Sequence, residues 1–249
     1  MTTSLGEEYR AAITIPTYKD AAFLSNTVHD LEKATEAIAK NFQLIIAEDG
    51  SNSSPLVAEL KKEFSNIVYI QKDERLGRGR ALREAWNSVQ ADVYVYIDAD
   101  MATSLEHFDA YRNLITLQDD YDLVTGSRYL RESITNRPFV RRIASTAYNW
   151  IIRIVFKTKV HDHQCGFKSF SRKLVETLAR DAKSDSWFWD TEVIVIARSQ
   201  KFRIKEIPIK WTEKKGQRTP LKRLANDVWL HGTGLLTLFW RVYIHPPGS

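Results

Sequence analysis

Alternation between short apolar runs and helical repeats is the feature that most restricts the fold of this chain. In the first half of the sequence, runs rich in Val, Ile, Tyr and Phe are separated by segments whose apolar residues recur at helical spacing. The runs cover residues 11–16, 42–47, 67–70 and 93–97, and the helical segments cover residues 20–40, 55–64 and 79–89. Nearly continuous apolar runs are typical of strands buried on both faces of a parallel sheet. The pattern therefore predicts an α/β domain with a mostly parallel central sheet flanked by helices.

The composition is that of a globular protein. Hydrophobic residues make up 43% and charged residues 27% of the 249 residues, which excludes a disordered chain. The single cysteine, Cys165, cannot form an intramolecular disulfide, and we expect it to be a buried thiol. No apolar run approaches the ~18 residues of a membrane-spanning helix. The polar N-terminus lacks the apolar segment of a secretion signal, so we expect a cytoplasmic protein.

The formal net charge of +5 is compatible with a nucleic acid, an anionic membrane or an anionic substrate as partner. The basic residues lie beside apolar helical stripes and beside carboxylate-rich strand ends. That arrangement does not suit a nucleic-acid backbone, so we expect no nucleic-acid partner.

Polar motifs follow each of the four predicted strands. They are residues 16–20 (PTYKD), 48–51 (EDGS), 76–80 (LGRGR) and 98–100 (DAD). In a doubly wound sheet, ligands bind beyond the carboxyl ends of the strands, which is where these motifs fall. The sequence therefore predicts one binding site at this edge of the sheet.

Asp98 and Asp100 are the candidate metal ligands. They lie two residues apart after an apolar strand, so their carboxylates can converge on one cation. Carboxylate oxygens suit Mg²⁺ or Mn²⁺, with phosphate oxygens and water completing the shell. The alternative is a solvated turn at the end of the strand, but the presence of the other motifs at the same edge of the sheet favours a metal site.

Two of the other motifs have alternative interpretations. Asp49 can accept a hydrogen bond from a nucleotide base, or it can cap the following helix. The glycine loop at residues 76–80 can lie near a diphosphate, or it can be a solvated basic turn. It lacks the third glycine of the dinucleotide-binding fingerprint, so that cofactor is not expected.

Together these motifs resemble those of the family-2 glycosyltransferases, which have the GT-A fold. IPTYKD is similar to the entry motif of that family, EDGS to its Asp-Gly-Ser, LGRGRAL to its glycine loop and DAD to its metal-binding Asp-x-Asp. The resemblance implies an enzyme that uses a nucleotide-sugar and Mg²⁺ or Mn²⁺. Pro16, Tyr18 and Asp49 would border the base, and Asp98 and Asp100 would serve ribose, diphosphate and metal. The remaining residues of these motifs that we assign to the nucleotide-sugar are Asp20, Gly77, Arg80 and Ala99.

Three motifs in the second half narrow the resemblance. They are residues 162–168 (DHQCGFK), 187–192 (WFWDTE) and 209–213 (IKWTE). In this order they resemble the dolichyl-phosphate β-glucosyltransferases and archaeal polyprenyl-phosphate glycosyltransferases. This implies transfer of a hexose to dolichyl or polyprenyl phosphate with inversion, and UDP-glucose is the favoured donor. UDP-N-acetylglucosamine, UDP-galactose and GDP-mannose remain open.

The sequence departs from these families at two points. Ala102 stands where dolichyl-phosphate mannose synthases usually have glutamine, which argues against that subgroup. The eukaryotic glucosyltransferases begin with a membrane helix, and this sequence shows none. We therefore expect another element to attach the protein to the cytoplasmic face of a membrane.

Two helical segments are candidates for that attachment. Residues 139–156 and 221–244 each combine an apolar stripe with basic residues and tryptophan. Such helices can lie in a membrane interface, with arginines near anionic headgroups, or they can pack on the sheet. The residues that we assign to the acceptor and the membrane are Arg142, Trp150, Arg153 and Gln164.

A phosphate acceptor changes what the site must supply. Its oxygen is already an anion, so catalysis rests on positioning and on neutralising the departing diphosphate. Arg128 and a basic loop with Lys215 and Arg218 are the candidates for binding phosphates. Asp190 would orient acceptor or sugar, and it would be the base if the acceptor were a sugar hydroxyl. We expect a single domain, with residues 10–127 binding the donor and residues 128–249 binding the acceptor and the membrane.

Overall fold

The computed structural model describes residues 8–39, 41–75, 77–105, 108–136, 139–212 and 231–245. Its elements are β1 (Glu8–Thr17), α1 (Ala21–Glu36), β2 (Phe42–Asp49), α2 (Ser54–Glu63), β3 (Ile67–Lys72), α3 (Arg78–Asn87), β4 (Gln90–Ile97), α4 (Phe108–Thr116), β5 (Leu123–Ser127), β6 (Ile134–Asn136), α5 (Phe139–Phe156), β7 (Phe167–Ser171), α6 (Arg172–Asp181), α7 (Trp189–Ser199), β8 (Ile204–Pro208) and β9 (Lys210–Thr212). Residues 231–239 are helical and continue into a π-helical turn, Trp240–Ile244. We call residues 231–244 the C-terminal helix.

Seven strands form one mostly parallel sheet in the order β3-β2-β1-β4-β7-β5-β8. Strands β3, β2, β1 and β4 run parallel, and β5 pairs in parallel with β8. Strand β7 runs antiparallel to both of its neighbours. β6 and β9 form a separate parallel pair. The predicted fold class is confirmed, and the first four predicted strands and three helices are all present.

The central strands β1, β2 and β4 are buried on both faces, and apolar residues occupy most of their positions. In β2, Leu44 and Ile46 contribute to the core cluster on one face, and Ile45 and Ala47 contribute to the cluster on the other. Helices α1, α2 and α4 contribute to the first cluster, and α3, α6 and α7 contribute to the second. This three-layer arrangement explains the continuous apolar runs, since successive side chains of a strand point to opposite faces.

Helix α5 turns its apolar stripe away from the protein. Ile143, Trp150 and Ile154 are 53%, 62% and 55% exposed. The polar residues Ser145 and Asn149 are buried instead, and both make hydrogen bonds inside the protein. Within the described residues, these side chains of the stripe do not pack on the sheet. The inward side of α5 thus carries Ser145 and Asn149 together with the buried apolar residues Ile152 and Phe156. The burial of the two polar residues was not predicted, because periodicity locates a stripe but does not say what covers it.

The C-terminal helix packs beside α5. Leu238 joins a third core cluster with Ile152, Phe156 and Phe188. The Tyr243 ring stacks on the Phe156 ring at 6.2 Å between centroids. Of the predicted helix at 221–244, residues 221–230 lie outside the described residues. In the part of the chain that the structure describes, no helix combines the length and apolar character needed to cross a bilayer.

Candidate active site

A buried network of charged side chains lies where the sequence predicted the site. The Arg78 guanidinium bridges two carboxylates: Nη2 lies 2.7 Å from Asp98 Oδ1, and Nη1 lies 3.0 Å from Asp190 Oδ2. The Lys168 ammonium lies 2.9 Å from Asp190 Oδ1, and the Tyr96 hydroxyl donates to the same oxygen. Residues from α3, β4, β7 and α7 therefore meet at one point.

Strand pairing and positions at helix starts place the members of this network. Tyr96 and Lys168 lie opposite one another in the antiparallel β4–β7 pair, so they project on the same face. Arg78 is the first residue of α3, and Asp190 lies in the first turn of α7. A carboxylate in the first turn is favoured by the helix dipole. The network therefore depends on two helix starts meeting one strand pair.

The two carboxylates of this network differ in proton affinity. Burial raises the pKa of Asp98 to about 6; Arg78 opposes the shift, and the charges of Asp100 and Asp190 add to it. Burial alone would raise the pKa of Asp190 as well, but Lys168, Arg78 and Tyr96 outweigh it and hold that pKa below its usual value. Asp190 is therefore a carboxylate fixed as an anion by three donors.

Gly166 packs directly against the Asp98 carboxylate. The Asp98 N–H donates to the Gly166 carbonyl oxygen at 3.1 Å. A Cβ added at Gly166 would overlap all three atoms of that carboxylate. The glycine in the DHQCG motif thus leaves room for Asp98 in its present position.

We expect Gly166→Ala to displace the Asp98 carboxylate and to weaken metal-dependent binding of a nucleoside diphosphate by about tenfold or more, the loss of ~1.4 kcal/mol. Titration calorimetry with UDP and Mg²⁺ measures this. Gly232→Ala is the matched control, because nothing lies within 4 Å of a Cβ added there. Equal affinities of the two variants would contradict the assigned role of Gly166.

The glycine turn before α3 is held between two loops. Gly77 has φ of 102°, and its N–H donates to Asp49 Oδ2 at 2.8 Å. The Gly79 N–H donates to the Asp185 carbonyl oxygen at 2.9 Å. Side chains at either glycine would overlap the backbone of residues 184–185. Asp49 therefore holds the turn instead of capping α2, whose N-cap is Ser53.

The EDGS turn is organised by Glu48, a residue that the sequence interpretation missed. Its buried carboxylate accepts hydrogen bonds from the Ser53 N–H at 2.7 Å, the Tyr69 hydroxyl at 2.7 Å and the Ser51 hydroxyl at 2.5 Å. Burial and the contact with Glu48 raise the pKa of Tyr69. The sequence signal for this role of Glu48 was the presence of serines three and five residues after it.

Tyr18, predicted to border the base, lies beside this turn. The Arg75 guanidinium is 3.9 Å from the centroid of the Tyr18 ring. The Asp20 carboxylate accepts the Tyr18 N–H at 3.1 Å, and burial raises the pKa of Asp20. Pro16 lies on β1 opposite Ala47 of β2. These residues line one edge of the sheet, as the strand-end rule predicted.

Arg128 binds a carboxylate within the protein. Its Nε and Nη2 lie 2.6 Å and 2.8 Å from the two oxygens of Asp162, a bidentate pair that is almost fully buried. This pair lowers the pKa of Asp162 despite its burial. The predicted phosphate-binding role of Arg128 stays a prediction, and Asp162 sets the orientation of its guanidinium.

The structure separates several other predicted residues. Arg80 lies on the surface of α3 and pairs with Glu84 at 3.1 Å, so it is Arg78 of this motif that enters the network. The Ala99 carbonyl accepts the Thr27 hydroxyl at 2.8 Å. Gln164 lies 3.3 Å from the His231 ring. Lys215 and Arg218 lie outside the described residues.

The Asp98–Asp100 pair fits a divalent cation that shares its ligands with a phosphate. Among the described residues, no group of three or more His, Cys, Asp or Glu side chains forms a complete metal site. Two carboxylates with substrate phosphates are, however, the donor set by which proteins commonly hold Mg²⁺. Burial is the main cause of the raised pKa of Asp98, and the neighbouring charges of Asp100 and Asp190 add to it. A cation placed among these carboxylates would be favoured by their charge. The expected Mg²⁺ or Mn²⁺ site is chemically consistent with these residues.

Family comparison agrees with this geometry. A model described as "Glycosyl transferase family 2" matches residues 12–179, a span that includes the four strand-end motifs and the DHQCG motif. The chain belongs to glycosyl transferase family 2. The family predicted from the motifs is thereby confirmed.

Curated relatives share the sequence over most of this chain. The glycosyltransferase AglD of Haloferax volcanii is 35% identical over 248 residues, which cover 98% of this chain and 39% of that protein. A dolichyl-phosphate beta-glucosyltransferase of Trichomonas vaginalis is 29% identical over 184 residues, covering 71% of this chain and 56% of that protein. The chain thus spans about two fifths to just over half the length of these relatives.

A solved structure shares the fold. Glucosyl-3-phosphoglycerate synthase from Mycobacterium tuberculosis, in complex with Mn²⁺, UDP and glucosyl-3-phosphoglycerate, superposes with a TM-score of 0.69. It is 15% identical, and the match covers 92% of this chain and 80% of that one. At this identity the likeness shows the GT-A-type architecture and no more.

Proposed function

We propose that this chain transfers a hexose, with glucose from UDP-glucose as the favoured case, onto dolichyl or polyprenyl phosphate with inversion. The state of Asp190 is the observation that carries the proposal. Three donors already bind this carboxylate, and its pKa lies below the usual value, so it is a poor base. A site without a strong base suits an acceptor that is already an anion. The names of the relatives, AglD and dolichyl-phosphate beta-glucosyltransferase, support the same acceptor class.

In the proposed reaction, an oxygen of the acceptor phosphate bonds to the anomeric carbon of the sugar. The bond from that carbon to the diphosphate breaks, and the departing nucleoside diphosphate keeps the electron pair. No proton has to be removed from the acceptor, which is why Asp190 can act by positioning. A Mg²⁺ or Mn²⁺ ion at Asp98 and Asp100 would neutralise charge on the leaving group.

The roles of the remaining residues follow the two halves of the chain. We assign residues 10–127 to the donor, with Pro16, Tyr18 and Asp49 beside the base and the glycine turn near the diphosphate. We assign residues 128–249 to the acceptor and the membrane. Arg128 would bind phosphate in the orientation that Asp162 sets, and Lys215 and Arg218 would act with it.

The acceptor is a lipid, and the outward apolar surface of two neighbouring helices supports docking on a bilayer. We call this surface the apolar face: Ile143, Trp150, Ile151 and Ile154 of α5, with Leu236, Phe239, Trp240, Tyr243 and Ile244 of the C-terminal helix. The Tyr243 hydroxyl donates to the Val155 carbonyl oxygen at 2.9 Å, which makes the two helices one surface. Exposed tryptophan beside Arg142 and Arg153 is typical of interfacial helices. We propose peripheral attachment at the cytoplasmic face of a membrane.

We expect Trp150→Ser and Ile154→Ser each to weaken binding to phospholipid vesicles by about tenfold or more, since burial of a large apolar side chain contributes ~1.5–3 kcal/mol. Co-sedimentation with vesicles measures this, and thermal unfolding should change little because both side chains are exposed. Phe23→Ser is the matched control, since Phe23 is an exposed apolar residue on α1. Unchanged vesicle binding of both α5 variants would contradict the proposed docking.

The reaction is tested by incubation with Mg²⁺ and polyprenyl phosphate against a panel of radiolabelled nucleotide-sugars. We expect label from one donor, UDP-glucose, to pass into the organic phase. Label from GDP-mannose or UDP-N-acetylglucosamine instead would keep the reaction and correct the donor. If no donor transfers although nucleotide binds in the presence of metal, the lipid phosphate is the wrong acceptor and a sugar hydroxyl takes its place.

A further inference from the structure

A side chain of the apolar C-terminal helix reaches into the protein toward the site. The Arg241 guanidinium donates to Glu192 Oε1 and to the Asp181 carbonyl oxygen. Arg241 belongs to the π-helical turn Trp240–Ile244, whose neighbouring residues Trp240 and Tyr243 are exposed. Neither Arg241 nor Glu192 has a role in the proposed transfer reaction.

Glu192 connects this arginine to a loop. Its carboxylate is 1% exposed and accepts the N–H groups of Lys183 at 3.0 Å and Ser184 at 2.7 Å. These residues begin the α6–α7 loop, residues 182–188, which joins α6 to α7. A buried carboxylate that loses its cation leaves an uncompensated charge, so the loop and Arg241 depend on each other through Glu192.

The same loop holds the donor side of the site. The Asp185 carbonyl accepts the Gly79 N–H at 2.9 Å, and the Ser184 carbonyl accepts the Arg83 guanidinium at 2.8 Å. The Trp187 ring lies 3.6 Å from the guanidinium carbon of Arg78, the residue that bridges Asp98 and Asp190. A continuous series of contacts thus runs from the apolar face to the glycine turn and to the buried network of charged side chains.

We propose that Arg241 and Glu192 are positioning residues that link seating of the C-terminal helix on a lipid surface to the glycine turn, and thereby raise affinity for the nucleotide. The inference rests on the proposed function, because it needs the apolar face to dock on a membrane. Seating restricts the motion of the helix and keeps Arg241 on Glu192. The α6–α7 loop then holds the turn and Arg78 in one arrangement, so nucleotide binding requires less ordering.

The test measures the dissociation constant of UDP with Mg²⁺, with and without vesicles of phosphatidylcholine and phosphatidylglycerol. For the unchanged protein we expect vesicles to tighten UDP binding about 5- to 20-fold, the lower part of the usual range of coupling between two sites. Arg241→Gln should bind vesicles but lose this response, and Arg241→Lys should recover part of it. Arg203→Gln, which changes an exposed arginine paired with Asp122, is the control and should respond fully.

Each outcome decides the inference. The inference is supported if vesicles no longer tighten UDP binding in Arg241→Gln and partly do so in Arg241→Lys. A purely structural defect would lower thermal stability and would not selectively remove the effect of vesicles. Vesicle-independent UDP affinity in the unchanged protein overturns it, as does a full response in Arg241→Gln. Transfer to polyprenyl phosphate, followed separately, tests the proposed function. If the coupling holds but no transfer occurs, the acceptor is wrong and the inference stands.

Discussion

Replacing Lys168 with methionine is expected to lower the free energy of unfolding by about 3–5 kcal/mol, the usual cost of removing one partner of a buried ion pair. The Lys168 side chain is completely buried and Asp190 is 1% exposed, so water cannot solvate the carboxylate that remains. Arg78 and Tyr96 still bind Asp190 in this variant, which places the cost toward the lower end. Urea unfolding measures this loss directly when the free energy of unfolding depends on urea concentration with the same slope in both proteins.

A surface lysine provides the matched control for this prediction. Lys62 lies 2.7 Å from Glu59, and both side chains are about 70% exposed. Lys62→Met should therefore change stability by no more than ~0.5 kcal/mol. The double variant Lys168→Met with Asp190→Asn should lose less free energy of unfolding than the two single variants lose together, because neither partner of the ion pair is then left as a buried charge without the other. If Lys168→Met costs no more than Lys62→Met, the buried network does not stabilise the fold.

The sequence predicted the parts of this protein that depend on local pattern. Strands β1 to β4 were found because their apolar runs are continuous, and the site was located because ligands bind beyond strand ends. Asp98 was chosen on that basis and lies in the network, and Asp190, which was assigned to acceptor or sugar from the WFWDTE motif, lies there too.

Residues defined by long-range packing escaped the same reasoning. Lys168 looks like an ordinary strand residue until antiparallel pairing with β4 sets it beside Tyr96. Arg80 was preferred to Arg78, although the two differ only in which side of α3 they occupy. Two side chains that lie two residues apart at the start of a helix point in different directions, and only the tertiary fold shows which of the two is buried.

The orientation of α5 shows a different limit. Its amphipathic pattern was recognised, but two seatings remained open. The deciding information lies elsewhere in the chain: Asn149 accepts the N–H of His163 at 2.9 Å, and the Ser145 hydroxyl bonds to Tyr129. Polar partners on another segment hold the polar face inward, and the apolar stripe is consequently left outside. Periodicity within one helix carries no record of such partners.

Asp100→Ala is expected to reduce sugar transfer by about a thousandfold, since charge neutralisation by a bound divalent ion contributes several kcal/mol and each ~1.4 kcal/mol is a factor of ten. Within the protein, Asp100 Oδ1 accepts the Ala102 N–H at 3.0 Å. Loss of that bond should cost only ~1 kcal/mol of stability. Asp98→Ala would be less informative, because Asp98 is also the partner of Arg78 and its loss would disturb the network itself.

The measurement compares transfer to polyprenyl phosphate, UDP affinity with Mn²⁺ or with chelator, and thermal unfolding for the same preparation of Asp100→Ala. Asp119→Ala is the control, since Asp119 is a 72% exposed carboxylate paired with Arg10. The expected pattern is lost transfer and lost metal dependence of UDP binding in a folded protein, with the control unaffected. If Asp100→Ala keeps the metal dependence of UDP binding, the cation is held elsewhere. In that case the carboxyl end of β4 serves only to orient Arg78, and the leaving diphosphate must be neutralised by the arginines and lysines of the site.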